Sequence, residues 1–173
     1  MIAGRGAAIA VLGLAGLLLA IAVTSAWSGA TRLGSRADER EAVELAAAGF
    51  VVAYGTFDYR DPGGYTTRLV GLTTGELRRA IAAAAIDPAA AVQQRSIGAA
   101  VEQVTVTALA GDVAVATVEA TQHRRWIDPA SGQLVEEQVR QRVSCRLVRE
   151  DGRWLVIELL LLSQQSGIAR GAR

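Results

Sequence analysis

Few side chains in this sequence can do chemistry. Asp58 and Tyr54 are four residues apart, one helical turn, and are the strongest pair for proton transfer, which needs a titratable group within hydrogen-bond reach of the reacting atom. Capping of a helix end by Asp58 and packing of Tyr54 account for the same residues more simply. His123, the single histidine, sits in Gln122-His123-Arg124-Arg125 and reads as a solvated surface side chain. Cys145, the single cysteine, is flanked by Val143 and Leu147 at strand spacing and reads as a small buried hydrophobe, because nothing nearby lowers its pKa. One Cys and one His exclude an intrachain disulfide, a cysteine zinc site and a Ser-His-Asp triad in practice. The sequence therefore assigns no catalytic, cofactor-binding or metal-binding residue, and no cofactor.

Composition narrows the class further. The 173 residues are 51% hydrophobic and 20% charged, with a positive mean hydropathy, which excludes a disordered chain. Aromatics are only 5%, so Val, Leu, Ile and Ala must build the core. Every basic residue is Arg, and Lys and Asn are absent, as expected of a GC-rich, bacterial genome. From residue 36 onward 16 Arg face 17 acidic side chains, and Arg140, Arg142 and Arg146 share their strands with glutamates. A nucleic-acid surface carries a basic excess, so these rows are expected to form an ion-paired sheet face instead.

Gly6 to Trp27 runs 22 residues without a charge, roughly 33 Å as a helix against about 30 Å of hydrocarbon. The expectation is a transmembrane anchor over 1–27, a linker over 28–35, a domain over 36–162 and a flexible tail over 163–173. A cleaved signal peptide with small residues at Ala26 and Ala30 is the alternative, disfavoured because its apolar region spans only about 7–15 residues. Gly16, Ala20 and Thr24 form a small-residue stripe compatible with a homodimer. Arg32, Arg36 and Arg40 against Arg5 weakly favour a cytoplasmic domain by the positive-inside rule.

In the domain, Val43, Ala47, Phe50, Tyr54 and Phe57 recur on one helical face, and no charge falls between Glu44 and Asp58, so deep packing is expected there. Pro62 and two glycines end that helix. A short helix over Tyr65–Leu72 follows, then a third to about Ala85, opened by a Thr73/Glu76 capping box and stopped at Asp87-Pro88. After Ile97 the period becomes two. Strands are expected over Val101–Leu109, Val113–Arg125, Leu134–Arg149 and Arg153–Leu162. In the last hairpin a two-residue Asp151-Gly152 turn would place Glu158 opposite Cys145. A three-residue turn pairs Arg149 with Arg153, puts Glu158 opposite Ser144 and near Arg142 and Arg146, and turns Leu155, Ile157, Leu159 and Leu161 inward; avoiding a buried carboxylate favours it. Gln141 is then the one polar side chain on the inner face.

The result is an α+β chain of a transmembrane helix, three helices and a four-stranded antiparallel sheet. That order resembles a nuclear transport factor 2-like fold, which implies a cone of the three helices packed on the sheet. The order of Phe50-Val51-Val52-Ala53-Tyr54, Thr56-Phe57-Asp58-Tyr59-Arg60, Thr74-Gly75-Glu76-Leu77 and Asp151-Gly152-Arg153-Trp154-Leu155-Val156 resembles Mce-associated membrane proteins of actinobacteria. It is also similar to the inner-membrane assembly factors of type IV secretion and conjugation systems, which share a nuclear transport factor 2-like cone. The resemblance implies a single-pass plasma-membrane (inner-membrane) protein with an extracytoplasmic domain, no reaction and no cofactor, and this implication overrides the Arg count. The expected function is a non-catalytic, membrane-anchored accessory or assembly component of an envelope transport or secretion system. Its partners would be the lipid bilayer and other envelope proteins, not nucleic acid. A module holding a lipid-like ligand in the cone, or a small isomerase- or dehydratase-like enzyme, are the alternatives.

Overall fold

The computed structural model describes residues 36–169. The chain divides into two compact units, residues 1–39 and 40–173, and the second contains the α+β domain. The expected anchor over 1–27, its Gly16/Ala20/Thr24 stripe and the linker lie outside the described residues. Among the described residues, no helix is long and apolar enough to cross a membrane.

Helix α1 covers residues 36–55. Val43, Ala47 and Phe50 are fully buried, as their spacing predicts, and Val51 joins them. The packing is one-sided: Leu45 and Val52 remain exposed although no charge falls between Glu44 and Asp58. Phe57, expected on the same helical face, has left the helix. It belongs to a two-residue strand, β1 (Phe57–Asp58), paired antiparallel to Ile97 and Ser96, and meets the Tyr65 ring edge-on at 5.3 Å. The change of direction falls at Gly55, where a Cβ would lie 2.5 Å from that of Ala99, closer than two carbons can approach.

Helix α2 (Pro62–Gly71) has proline in its first turn and Asp61 as its N-cap, accepting from the Gly64 amide at 2.9 Å. Helix α3 (Gly75–Ala83) begins one residue later than expected, and the Thr73/Glu76 capping box does not form. Thr73 is buried and donates to the Leu69 carbonyl at 2.8 Å, while the hydroxyl of the actual N-cap, Thr74, donates to Glu150. The competing partners win because residues 72–74 are also held by β5, with Val156 donating to Leu72 O and Thr74 donating to Val156 O. A fourth, one-turn helix, α4 (Ala89–Val92), follows Asp87-Pro88.

The sheet contains five strands in the order β1-β2-β3-β4-β5, with β2 (Ser96–Ala110), β3 (Val113–Ile127), β4 (Leu134–Glu150) and β5 (Arg153–Ala169) forming the antiparallel meander. Among the described residues, four helices and five strands thus replace the expected three and four of the domain, and helices packed on a curled antiparallel sheet give a half-barrel. The turns at Gly111-Asp112 and Asp128–Gly132 fall in the gaps between the expected strands. In the second, Asp128 accepts from the Ser131 hydroxyl and the Ala130 amide, contacts that hold its carboxyl below the usual range.

The last hairpin corrects the expected register. Asp151 and Gly152 form a two-residue turn, both at positive φ, and Glu150 pairs with Arg153. Yet Glu158 does not face Cys145. A bulge after Val156 adds Ile157 to β5, so Arg146 faces Glu158 and Cys145 faces Leu159. Val156 takes the inward position opposite Leu147, in place of Leu155 and Ile157. The choice between two turns omitted this third solution, in which a short turn and an outward carboxylate coexist. A second irregularity leaves Leu162 between the Val143–Leu161 and Arg142–Ser163 pairs. The expected flexible tail from Ser163 is ordered strand through Ala169, hydrogen-bonded along β4 to Glu136.

The convex face of the sheet carries paired charges: Arg142–Glu119 at 3.6 Å, Arg140–Glu102 at 3.7 Å and Arg146–Glu158 at 4.0 Å. Glu102 also accepts from the Thr121 hydroxyl. Because both members of the Arg146–Glu158 pair are about half exposed, Glu158→Gln is expected to cost no more than about 1 kcal/mol in urea unfolding. A loss above about 2 kcal/mol would show that the carboxylate is buried.

Candidate functional site: a cleft at the polar end of the half-barrel

Cross-strand pairing orders the concave face into layers that change character along the sheet. Ala114–Leu147–Val156, Ala116–Cys145–Leu159 and Val118–Val143–Leu161 are apolar. The small alanines of β3 leave room for α1, whose Val43, Ala47 and Phe50 complete the core. The next layers are Ala120–Gln141–Gln164 and Gln122–Val139–Ser166, followed by the Arg124–Glu137 pair. The face therefore runs from hydrocarbon to amide to charge.

A cleft of about 330 Å³ opens over these polar layers. Tyr54, Tyr65 and Ile97 wall one side; Gln122, Arg124 and Gln141 rise from the sheet. Leu159, Leu161 and Gln164 of β5 form the opposite lip. The Tyr65 hydroxyl donates to the Tyr54 carbonyl at 3.0 Å, and burial, followed by the neighbouring Tyr54, pushes its pKa up. Gln122 Oε1 accepts from Arg124 Nε and Nη2 at 3.1 and 2.8 Å, while Arg124 Nη1 lies 3.6 Å from Glu137. Gln141 is only 5% exposed, and its Nε2 has no hydrogen-bond partner. An unsatisfied buried donor costs about 1–3 kcal/mol. Gln141→Met, of similar length without the amide, is therefore expected to raise stability by about 1–2 kcal/mol in chemical denaturation. A destabilisation of that size would mean that the amide is satisfied.

The structure separates the two residues paired by the sequence reading. Tyr54 lines the cleft, but Asp58 lies on β1, accepts from the Arg60 amide at 2.9 Å and lines a different surface depression with Tyr59, Arg60 and Arg125. His123 is exposed opposite Gln138. Cys145 is fully buried, and burial pushes its thiol pKa up to about 12. Gln141 was legible as an inner-face residue. Arg124 could have been found by counting even positions down β3 from Ala114; Gln164 could not, because its segment reads as a polar tail.

The cleft contains tyrosines and an arginine but no carboxylate, histidine or thiol among its lining residues. Arginine stays protonated and tyrosine ionises near 10, so neither supplies a general base near neutral pH. Hydrogen-bond donors beside apolar walls suit binding. Among the described residues, no cluster of His, Cys, Asp or Glu could hold a metal ion.

No family model and no curated protein matches this chain. Among solved structures, an IcmL-like type IV secretion system protein from Legionella pneumophila subsp. pneumophila str. Philadelphia 1 resembles it with a TM-score of 0.40 and 12% sequence identity, covering 78% of this chain and 96% of that one. The likeness is distant. At that level fold and function rest on the chain's own residues.

Proposed function

We propose that this chain is a non-catalytic accessory component of a bacterial envelope transport or secretion system, anchored in the plasma membrane by residues 1–27 with its domain outside the cytoplasm. The observation that carries the reading is the open edge of β5. Beyond Val156, whose outer amide and carbonyl are engaged by residues 72–74, no other element among the described residues pairs with the outer side of this strand. The stretch Leu159–Gly167 carries no charge, and Leu160, Leu161 and Leu162 are each more than half exposed. An uncharged edge strand with exposed leucines is a template for strand addition, which satisfies backbone groups and leucine side chains together. The occupant that fits is an uncharged strand of another envelope protein. The helices packed on a curled sheet support the nuclear transport factor 2-like reading of the sequence.

A photocrosslinking residue at Leu160 of the full chain, in native membranes, is expected to capture one discrete protein other than a second copy, and the same residue at Arg142 on the paired convex face is expected not to. Crosslinks to the chain itself alone would overturn the accessory reading in favour of a homodimer. The anchor and topology are tested by carbonate washing, which should leave the protein in the membrane fraction, and by a reporter fused after Arg173. Reporter activity confined to the cytoplasm would reverse the topology.

A further inference from the structure

We propose that the cavity between the helices and the β1–β2 edge of the sheet binds a compact, neutral, hydrocarbon-rich molecule about the size of two fused rings. This goes beyond the accessory role and does not depend on it. The cavity measures about 350 Å³ and is walled by Phe57 of β1, Tyr65 and Leu69 of α2, Ile81 of α3, Ala90 of α4 and Ile97 of β2. Its origin lies in the sequence: residues 82–85 and 89–91 are all alanine, and side chains that small leave space unfilled beside α2 and β2. Leu69 and Ala90 are buried, whereas the 84–86 stretch of the wall is exposed, so the cavity reaches from the core to solvent. Helix α3 holds no fully buried residue, which leaves this wall the easiest to displace as a ligand enters.

The walls select against charge. Asp87 and Arg95, the charged residues among them, pair with each other at 3.1 Å. Asp87 also accepts from the Ala89 amide, and Arg95 also donates to Gln93. The Tyr65 and Thr66 hydroxyls donate to the Tyr54 and Pro62 carbonyls. These groups are served within the protein, so a ligand gains by offering hydrocarbon, and a charge carried into the cavity would go uncompensated. Volume sets the size. An apolar cavity of about 150 Å³ holds one benzene ring, and this cavity is a little over twice as large. Phe57 and Tyr65, edge-on at 5.3 Å, and Tyr54 supply aromatic surface that suits a flat ring system.

The test uses the full chain in lipid nanodiscs, with carbon-13 in the isoleucine δ1 methyl groups and naphthalene as the probe. Ile81, Ile86 and Ile97 line the cavity, whereas Ile127 and Ile157 do not. Ring-current shifts that saturate are expected at the first three methyls and not at the other two. 2-Naphthoate, the same ring system with a carboxylate, is expected to require at least about tenfold higher free concentration for the same shifts. Ala84→Trp, at an exposed position on the wall, adds an indole that competes for the space, and should abolish the naphthalene-dependent shifts at Ile81 and Ile97. Unaltered Ile127 and Ile157 resonances show that the variant is folded; Ala85→Phe, at the neighbouring exposed position, serves as a second variant should the first misfold. The proposal is overturned if the shifts grow linearly with naphthalene, if they appear equally at Ile127 and Ile157 or only in residues 1–35, if 2-naphthoate matches naphthalene, or if the folded variants bind naphthalene as the wild type does.

Discussion

Truncating Phe50 to alanine is expected to destabilise the domain by about 3–5 kcal/mol, the range for removing a fully buried aromatic side chain. Phe50 is fully buried, the largest side chain so placed among the described residues, and stacks on Tyr54 with ring centroids 6.0 Å apart and planes inclined at 23°. The loss combines the transfer of a phenyl ring out of water with a cavity between α1 and the alanines of β3, which are too small to collapse into it. Val52→Ala, two positions along on the exposed side of the same helix, should stay within about 0.5 kcal/mol. Urea unfolding of both variants measures the contrast. Equal effects would mean that α1 does not present Phe50 to the sheet.

Stability is expected to fall in alkali, with a distinct contribution from Cys145. Its thiol pKa is raised from 9.0 to about 12 by burial, so the folded state keeps the proton between those values while the unfolded state has released it. The unfolded state then binds fewer protons, and stability declines as pH rises, by about 1.4 kcal/mol per unit from about pH 9 until the folded thiol also ionises near pH 12. Below pH 9 the thiol is neutral in both states and the contribution is constant. Other groups titrate in this window, Tyr65 with its raised pKa among them. The informative quantity is therefore the difference between the pH profiles of wild type and Cys145→Ala. Parallel profiles would show that the thiol is accessible to solvent in the folded protein. The same burial should make Cys145 inert to thiol reagents at pH 8 until denaturant is added.

Much of the fold is written in local periodicity. The 3.6-residue spacing of Val43, Ala47 and Phe50 defines the buried stripe of α1, and the strict alternation through Val139, Gln141, Val143, Cys145 and Leu147 defines the inner face of β4. Each of these residues carries its assignment in its own neighbours, because helix and strand geometry fix which side chains share a face. The pairing of arginines with glutamates on the other face follows from the same alternation. So does the place of Gln141, although its lack of a partner does not.

What local pattern could not decide was pairing at a distance. The bulge at Ile157 is a compromise between Asp151-Gly152, which favours a two-residue turn, and Glu158, which must stay in water opposite Arg146. Neither residue specifies it alone. Phe57 continues the helical stripe in sequence, yet strand pairing with Ile97 and the close approach of Gly55 to Ala99 take it out of the helix. Thr73 and Glu76 have capping spacing, but β5 claims the backbone around Thr73. Ser163–Ala169 shows no apolar alternation and becomes strand because the backbone of β4 extends alongside it down to Glu136. Side-chain periodicity declares which face is wet; the hydrogen bonds of the backbone, which are nearly the same for every residue, settle register and strand length only when a partner strand arrives. Sequence alone thus determined the elements and their faces, and tertiary pairing decided where the strands end, which residues bulge, and that Gln141 would lie beside a cleft with its amide nitrogen unpartnered.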